Sequence, residues 1–311
     1  MTVLLVGYAD LPEMELLADA VAERGGTAEL VDVEQWPGES PLTFRPDTDE
    51  ATFGTTVSLG DVTGAYVVSH HLLHPRDPRF DDRLDDETRP ALNQLHEHRS
   101  LFESLCRVLE RRGATVVPPL RNHDWQDRKP WQLDLYASSD LPIPATVFTN
   151  DPSEVRSFVD AHDRVIYKPV TRGGRAHELS TEDLTDERLA RLSTAPVQFQ
   201  EYVPGEDVRV YVIDGEVVGA MRYEREAFSF KVDQREGKTV DVHPISVPES
   251  VVDTASRAAE RAGLDFAAAD VRLESDGTHA LLELNEAARF AGADVKADQN
   301  VAGALADHLL S

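Results

Sequence analysis

A single cysteine, Cys106, stands in 311 residues, so no disulfide can form within the chain. It lies in the apolar-periodic stretch 101–109, where a lone thiol reads as a small buried hydrophobe rather than a nucleophile. No run approaches the ~18 consecutive apolar residues that a membrane helix needs. The opening Met1-Thr2-Val3-Leu4-Leu5-Val6-Gly7 has no basic segment ahead of its apolar residues, so a signal peptide is not expected. A soluble, cytoplasmic protein is the default. Positive charge is scarce: 31 Lys plus Arg face 57 Asp plus Glu, a formal net charge of −26. Nucleic-acid binding needs a basic footprint, and none is expected here. The acids are dispersed rather than gathered in one tail. That fits a hydrated, halophile-like surface better than an acidic face for a basic partner. The first strand is not followed by G-x-G-x-x-G, and neither a P-loop nor G-x-S-x-G occurs. Dinucleotide-fingerprint, Walker-type and serine-hydrolase chemistries therefore lack support.

What is present begins with alternation of strand and helix. Val3–Val6 reads as a buried strand, Pro12–Arg24 as a helix closed by Gly25-Gly26, and Glu29–Val33 as a second strand. That order favours a parallel sheet. Ala65–Ser69 is a further strand, Pro75–Arg89 a charged surface loop, Pro90–Arg112 a long amphipathic helix, and Thr115–Val117 a strand. The front of the chain is thus a doubly wound α/β layer. From about Arg121 the character changes. Lys129–Ser138 reads as a helix, Leu141-Pro142-Ile143-Pro144 as extended, and Val165–Lys168 and Val197–Tyr202 as strands. Asp214-Gly215 and Asp276-Gly277 each separate two strand-like runs, which signals hairpins. A helix at Val251–Arg261 closes on Gly263, and a last helix lies within Ala291–Leu310. The second half is therefore α+β.

Three local patterns bear on chemistry. In the first, Lys168 ends an apolar strand and Gly173-Gly174 follow. A buried ammonium without a partner is costly. Beside a glycine turn it suits a cation over a phosphate, with backbone N–H groups approaching the anion. A snorkelling lysine beside an ordinary hairpin is the alternative. In the second, the strand reaching Glu201 is placed to present backbone groups to an adenine edge. Asp207 and Arg209 then alternate onto one face of the next strand. A solvent-facing ion pair is the competing account, although such pairs contribute only ~0–1 kcal/mol. In the third, Glu283 and Asn285 share a strand face and Asp270 lies across the hairpin. Three hard oxygen donors converging there suit Mg²⁺. A solvated polar face is the alternative, but the acids interrupt apolar, core-like strands. His70, His71 and His74 cluster after a strand end. They lack the helical spacing of a metal site and suit a substrate contact better.

Taken in order with Lys129 and the following Pro142-Ile143-Pro144-Ala145-Thr146, these patterns resemble the ATP-grasp superfamily, nearest its RimK-like and glutathione-synthetase-like ligases. The resemblance runs in detail from Arg121 to Asn285. It implies an α/β parallel-sheet pre-ATP-grasp domain over 1–120, then an α+β ATP-grasp domain of two subdomains, 121–203 (central lid) and 204–311 (metal-binding). By position it implies that Lys129 and Lys168 contact ATP phosphates, with Gly173 and Gly174 in the covering turn. Glu201, Tyr202 and Val203 would lie at the adenine hinge and Asp207 near the ribose. Arg209 would lie near the phosphates or acyl-phosphate, and Arg222 at the transferred phosphoryl group. Asp270, Glu283 and Asn285 would hold Mg²⁺, with Mn²⁺ the alternative ion. Lid motion is implied for the turn 171–176. The resemblance departs at Asn285-Glu286-Ala287-Ala288-Arg289 and at Lys231, where relatives tend to carry Asn; Arg289 and Lys231 are candidate partners of a substrate carboxylate, with ordinary surface charges the equal alternative.

The implied activity joins a carboxylate to an amine or thiol through an acyl-phosphate. Amino acids, peptides or a protein tail are the implied substrates, and a homo-oligomer is the common assembly of relatives. A catalytically silent ATP-binding regulatory module is the alternative, but it has no need of a complete acidic set.

Overall fold

The computed structural model describes residues 1–311 apart from 36–40, 49, 54, 69–80, 172–175, 232–236 and 238–239. In the N-terminal region, β1 (Thr2–Gly7) leads into α1 (Pro12–Glu23) and β2 (Thr27–Asp32). Pro12 opens α1 with Glu13 and Glu15 in its first turn, as the missing proline N–H and the helix dipole favour. A small antiparallel sheet follows, β3 (Leu42–Arg45), β4 (Glu50–Phe53) and β5 (Thr55–Ser58), which the sequence reading had not separated. Then come β6 (Val62–Val67), α2 (Asp81–Arg111) and β7 (Thr115–Val117). The order β2-β1-β6-β7 is parallel throughout, as the β-α-β pattern predicts. Alternate residues of β1 feed opposite cores. Leu4 and Val6 face Leu95, Phe102 and Leu105 of α2, with Cys106 buried beside them, while Val3 and Leu5 face Leu17 and Val21 of α1. Burial pushes the Cys106 thiol up to about 12, in keeping with a packing residue.

The loop expected over 75–89 is corrected in part. Residues 81–89 are helical and continuous with α2; the break is only at Glu87 (φ −136°, ψ 55°), three residues ahead of Pro90. The proline therefore opens a helical segment instead of ending one. The dense charge of this stretch hid its first turns.

The middle of the chain holds α3 (Lys129–Ser138), β8 (Thr146–Thr149), α4 (Pro152–Asp160), β9 (Val165–Pro169), β10 (His177–Glu178), α5 (Asp186–Ala190) and β11 (Val197–Glu201). The strands form an antiparallel sheet in the order β10-β9-β11-β8. Val165 and Phe199 face Val155 of α4 and Leu189 of α5. The opposite face carries Ile166, Lys168, Gln198 and Gln200, brought side by side by the β9–β11 register.

The last region is a five-stranded antiparallel sheet, β14-β13-β12-β15-β16. Its strands are β12 (Glu206–Ile213), β13 (Glu216–Tyr223), β14 (Val242–Pro244), β15 (Phe266–Leu273) and β16 (His279–Asn285). Asp214 (φ 52°) and Gly215 (φ 79°) make the tight β12–β13 turn that the sequence signals. One face packs on α6 (Glu249–Ala262) through Val251, Ala255, Ala258 and Ala259. The other face changes along its length. Asp207, Arg209, Asp270 and Arg272 occupy one end, and Tyr211, Ile213, Phe266 and Ala268 the other. After α7 (Ala291–Lys296), the terminal helix α8 (Val301–Leu310) packs on that apolar end and on the N-terminal sheet, through Leu305 and Leu309. Gly64 of β6 permits this approach, since an added Cβ would lie 2.8 Å from Leu309 Cβ. No helix among the described residues is long and apolar enough to cross a membrane.

Candidate active site

The polar end of the C-terminal sheet faces the polar side of the middle sheet across a cavity of about 300 Å³. Lys129 enters from the start of α3, Lys168 from β9, and Glu201, Tyr202 and Val203 from the end of β11. Asp207, Asp270, Glu283 and Asn285 enter from the C-terminal sheet. These nine residues singled out in the sequence thus meet in one place, while Arg209 lines an adjoining cavity. Gly173, Gly174 and most of the turn 171–176 lie outside the described residues, as do His70, His71 and His74.

The acidic centre is built by register. Asp270 pairs directly with Glu283, and Ala268 with Asn285. A β-bulge between Asp270 and Val271 makes Leu282 the extra residue, so that Glu283 rather than Leu282 stands opposite Asp270. Cations surround the two carboxylates. Arg209 holds Asp270 with both arms, Nε to Oδ1 at 2.8 Å and Nη2 to Oδ2 at 3.1 Å. Lys231 Nζ donates to Asp270 Oδ2 at 2.7 Å and to Glu283 Oε1 at 2.5 Å. Lys129 Nζ lies 3.8 Å from Glu283 Oε2. Asn285 Nδ2 donates to Asp270 Oδ2 at 3.2 Å, and its Oδ1 accepts from Gln126 Nε2 at 2.9 Å. Burial alone would raise both carboxyls. Arg209 and Lys231 outweigh it at Asp270, and Lys231, Lys129 and Lys168 at Glu283, so Asp270 is lowered and Glu283 sits well below the usual carboxylate range. Burial, then the neighbouring Lys129, presses the Lys168 ammonium down to about 8; Gln200 Oε1 accepts from it at 3.4 Å.

Two ionised carboxylates on adjacent strands, with the Asn285 amide beside them, form a donor set that fits a small divalent cation once Asn285 presents Oδ1 in place of Nδ2. Among the described residues no group of three or more His, Cys, Asp or Glu is placed to hold a metal.

Arg222 lies away from its expected place, and two residues that do line the cavity have carboxylates engaged within the protein. Asp207, expected near a ribose, is buried, and its carboxylate is engaged within the protein. Arg225 Nε lies at 3.0 Å, Arg272 Nη1 at 3.2 Å, and Phe230 N donates to Oδ2 at 3.1 Å. It anchors the 225–230 segment over the cavity. Glu201 likewise uses its carboxylate to accept from Ala145 N at 2.8 Å, tying the extended 142–146 segment to β11. Arg222, expected at the phosphoryl group, lies on the other face of the sheet, paired with Glu206 at 3.4 Å. A bulge between Tyr211 and Val212 causes this. It sets Arg222 opposite Val208, on the α6 side, while Tyr223 stands opposite Asp207. The outcome expected for Arg222→Ala is turnover within about twofold of wild type and a stability change under about 1 kcal/mol. A large loss of turnover in steady-state assays, with the fold intact by circular dichroism, would restore its catalytic role. Of the two candidate substrate contacts, Arg289 pairs with Glu13 at 3.2 Å and Lys231 with the acidic centre.

Sequence reasoning missed Arg272 and Arg225. A signal was available. Asp-Val-Arg occurs twice, at 207–209 and 270–272, and the antiparallel register sets Asp207 against Arg272 and Arg209 against Asp270. The repeat pairs with itself and yields two buried, crossed ion pairs.

Residues 127–309 match the family model of the RimK-like ATP-grasp domain. Beta-citrylglutamate synthase B of Danio rerio is 27% identical over 218 residues, covering 67% of this chain and 53% of its own length. Probable alpha-L-glutamate ligase 1 of Shewanella denitrificans is 25% identical over 186 residues, covering 57% of this chain and 62% of its own. The chain thus spans about half to three fifths of these curated relatives. Among solved structures, the ATP-grasp ligase PsnB complexed with a phosphomimetic variant of its minimal precursor, Mg and ADP is 30% identical with a TM-score of 0.84, covering 99% of this chain and 97% of that one. Macrocyclase MdnC bound with precursor peptide MdnA, from Microcystis aeruginosa MRC, shares the fold with a TM-score of 0.81 at 20% identity over 100% of both chains. With the acidic centre, the lysines and the two facing sheets in hand, the match over 127–309 assigns this chain to the RimK-like ATP-grasp family.

Proposed function

We propose that the chain is an ATP-dependent carboxylate–amine ligase that works through an acyl-phosphate. The observation that carries this reading is the convergence of Lys129, Lys168, Asp270, Glu283 and Asn285 on one cavity, with Arg209 bound to Asp270 at its edge. Catalysis of this kind is mostly positioning and charge neutralisation. Lys129 and Lys168 supply positive charge for the nucleotide phosphates. Asp270, Glu283 and Asn285 would hold Mg²⁺, which when bound neutralises charge on the phosphate oxygens. A substrate carboxylate oxygen takes the terminal phosphoryl group of ATP, and ADP leaves. An amine nitrogen then attacks the acyl carbon, phosphate departs, and the nitrogen loses a proton. Arg209, bound to Asp270 and lining an adjoining cavity, would neutralise charge on the transferred group.

A peptide is the proposed carrier of the carboxylate. Similarity to PsnB, complexed with its minimal precursor, extends over nearly the whole of both chains, whereas the glutamate-ligase relatives are matched over part of their length. The second reading, addition of free glutamate, rests on those relatives. A silent ATP-binding module would not need the complete acidic set. The test is ADP release by the purified chain in high KCl with Mg-ATP. Synthetic acidic peptides and amino-acid pools are added in turn, with Glu283→Ala as control and mass spectrometry of products. Peptide-dependent release with loss of water from the peptide supports the reading. Glutamate addition would move the second reading ahead. Nucleotide binding without turnover on any pool would favour the silent module.

A further inference from the structure

Lysine is rationed in this chain: there are five, against 26 arginines. Lys129, Lys168 and Lys231 line the cavity described above, and Lys296 lines an adjoining one of about 410 Å³. The fifth, Lys238, lies outside the described residues. Arginine gives fixed, forked pairing, whereas lysine is a compact charge on a flexible stem that can leave one partner for another.

Lys231 has two places to be. Its Nζ bridges Asp270 Oδ2 and Glu283 Oε1, oxygens of the candidate metal set. A divalent cation using those oxygens and the ammonium exclude each other, by contact and by like charge. Lys231 also lines the second cavity, whose wall carries Arg209, Arg289 and Lys296, and its side chain is 43% exposed, so its ammonium borders both spaces. We propose that Lys231 is a positioning residue that competes with Mg²⁺ for Asp270 and Glu283, and that binding of the metal–nucleotide sends its ammonium to the second cavity, where it completes the cationic wall that receives the substrate carboxylate. This rests on the ligase reading above. It orders the reaction: metal–nucleotide first, carboxylate second. By linkage, an occupied carboxylate site tightens the metal–nucleotide in return.

The experiment is calorimetric titration with ADP, in Mg²⁺ and in EDTA, of the wild type, Lys231→Met and Lys231→Arg. The affinity gain conferred by Mg²⁺ rises about tenfold in Lys231→Met and stays near the wild-type value in Lys231→Arg. A merely structural role would alter both affinities together, and an unmoved ratio overturns the proposal. The wild type gives a second reading that needs no folded methionine variant. Selective lysine labelling yields five side-chain NMR signals, with that of Lys231 identified by its loss in Lys231→Arg. This signal shifts with Mg-ADP and not with ADP in EDTA; no Mg-dependent shift overturns the proposal. A wild-type chain that binds no ADP removes the ligase reading as well. One whose ADP binding depends on Mg²⁺, with an unmoved ratio, removes the Lys231 proposal alone.

Discussion

Asp270→Asn will lower the stability of the fold by about 3 kcal/mol and turnover by at least about a hundredfold. The stability loss follows from what the carboxylate holds. Arg209 and Lys231 both donate to it, and its side chain is only 5% exposed. Breaking one partner of a buried pair typically costs about 3–5 kcal/mol, because the other charge is left uncompensated. The lower end applies, since an asparagine oxygen still accepts one of the Arg209 bonds. Chemical denaturation measures it. The pH dependence has a definite sign. The folded Asp270 carboxyl lies below its unfolded value, so its contribution is complete above the unfolded value and is lost as pH falls through the folded one. The gap between wild type and variant therefore persists from neutral pH to about 4 and narrows below. The turnover loss tests the metal assignment separately: Mg²⁺ should add thermal stability beyond ADP alone in the wild type and not in the variant. A variant that keeps that Mg²⁺ increment would remove Asp270 from the metal set.

Nucleotide affinity will weaken as pH rises through about 8, the value to which burial, aided by Lys129, presses Lys168. Phosphates favour the charged ammonium, so the complex keeps the proton to higher pH than the free protein. Binding above pH 8 then takes up a proton, and affinity falls about tenfold per pH unit. Calorimetry at pH 9 in two buffers of different ionisation enthalpy counts that proton. Uptake near one in the wild type and near zero in Lys168→Met is the expected result. At pH 7 the variant should bind about 10–100-fold more weakly, as loss of a charged hydrogen bond implies. For the fold alone the sign is the reverse of the usual lysine case. The folded value lies below the unfolded one, so burying this ammonium costs stability below pH 8. That cost is relieved as pH climbs toward the ordinary lysine value. Absence of proton uptake would place Lys168 away from the phosphates.

The parallel front sheet and both hairpins were legible because period-2 apolar runs and Asp-Gly turns are local signals. At the Asp270–Glu283–Asn285 centre, alternation put Glu283 and Asn285 on one face of β16, but their meeting with Asp270 depends on the Leu282 bulge, which counting from the turn does not show. The error at Arg222 came from what local pattern cannot carry. Counting back from Asp214-Gly215 without a bulge sets Arg222 opposite Asp207, on the site face; one extra residue, Val218, turns it away. Asp207 and Glu201 were found as cavity residues but not as internally bonded ones, because their partners Arg272 and Ala145 are 65 and 56 residues away. Lys231 was visible as a departure from relatives, while its hold on two carboxylates depends on a tertiary approach that no spacing encodes.

The packing of α8 on the front sheet has a consequence for how the molecule is made. Val3 and Leu5 share a core with Leu305 and Leu309, some 300 residues later in the chain. The usual order, in which an amino-terminal domain folds while the rest is still being synthesised, is interrupted here. On stalled ribosomes, residues 1–120 should gain full protease protection only once Leu310 has cleared the exit tunnel; protection at a stall before Val301 would show that the sheet closes unaided. Until that point the growing chain carries a sheet face covered by α1 alone, and the dense negative charge along the chain opposes its association with neighbours on the same message.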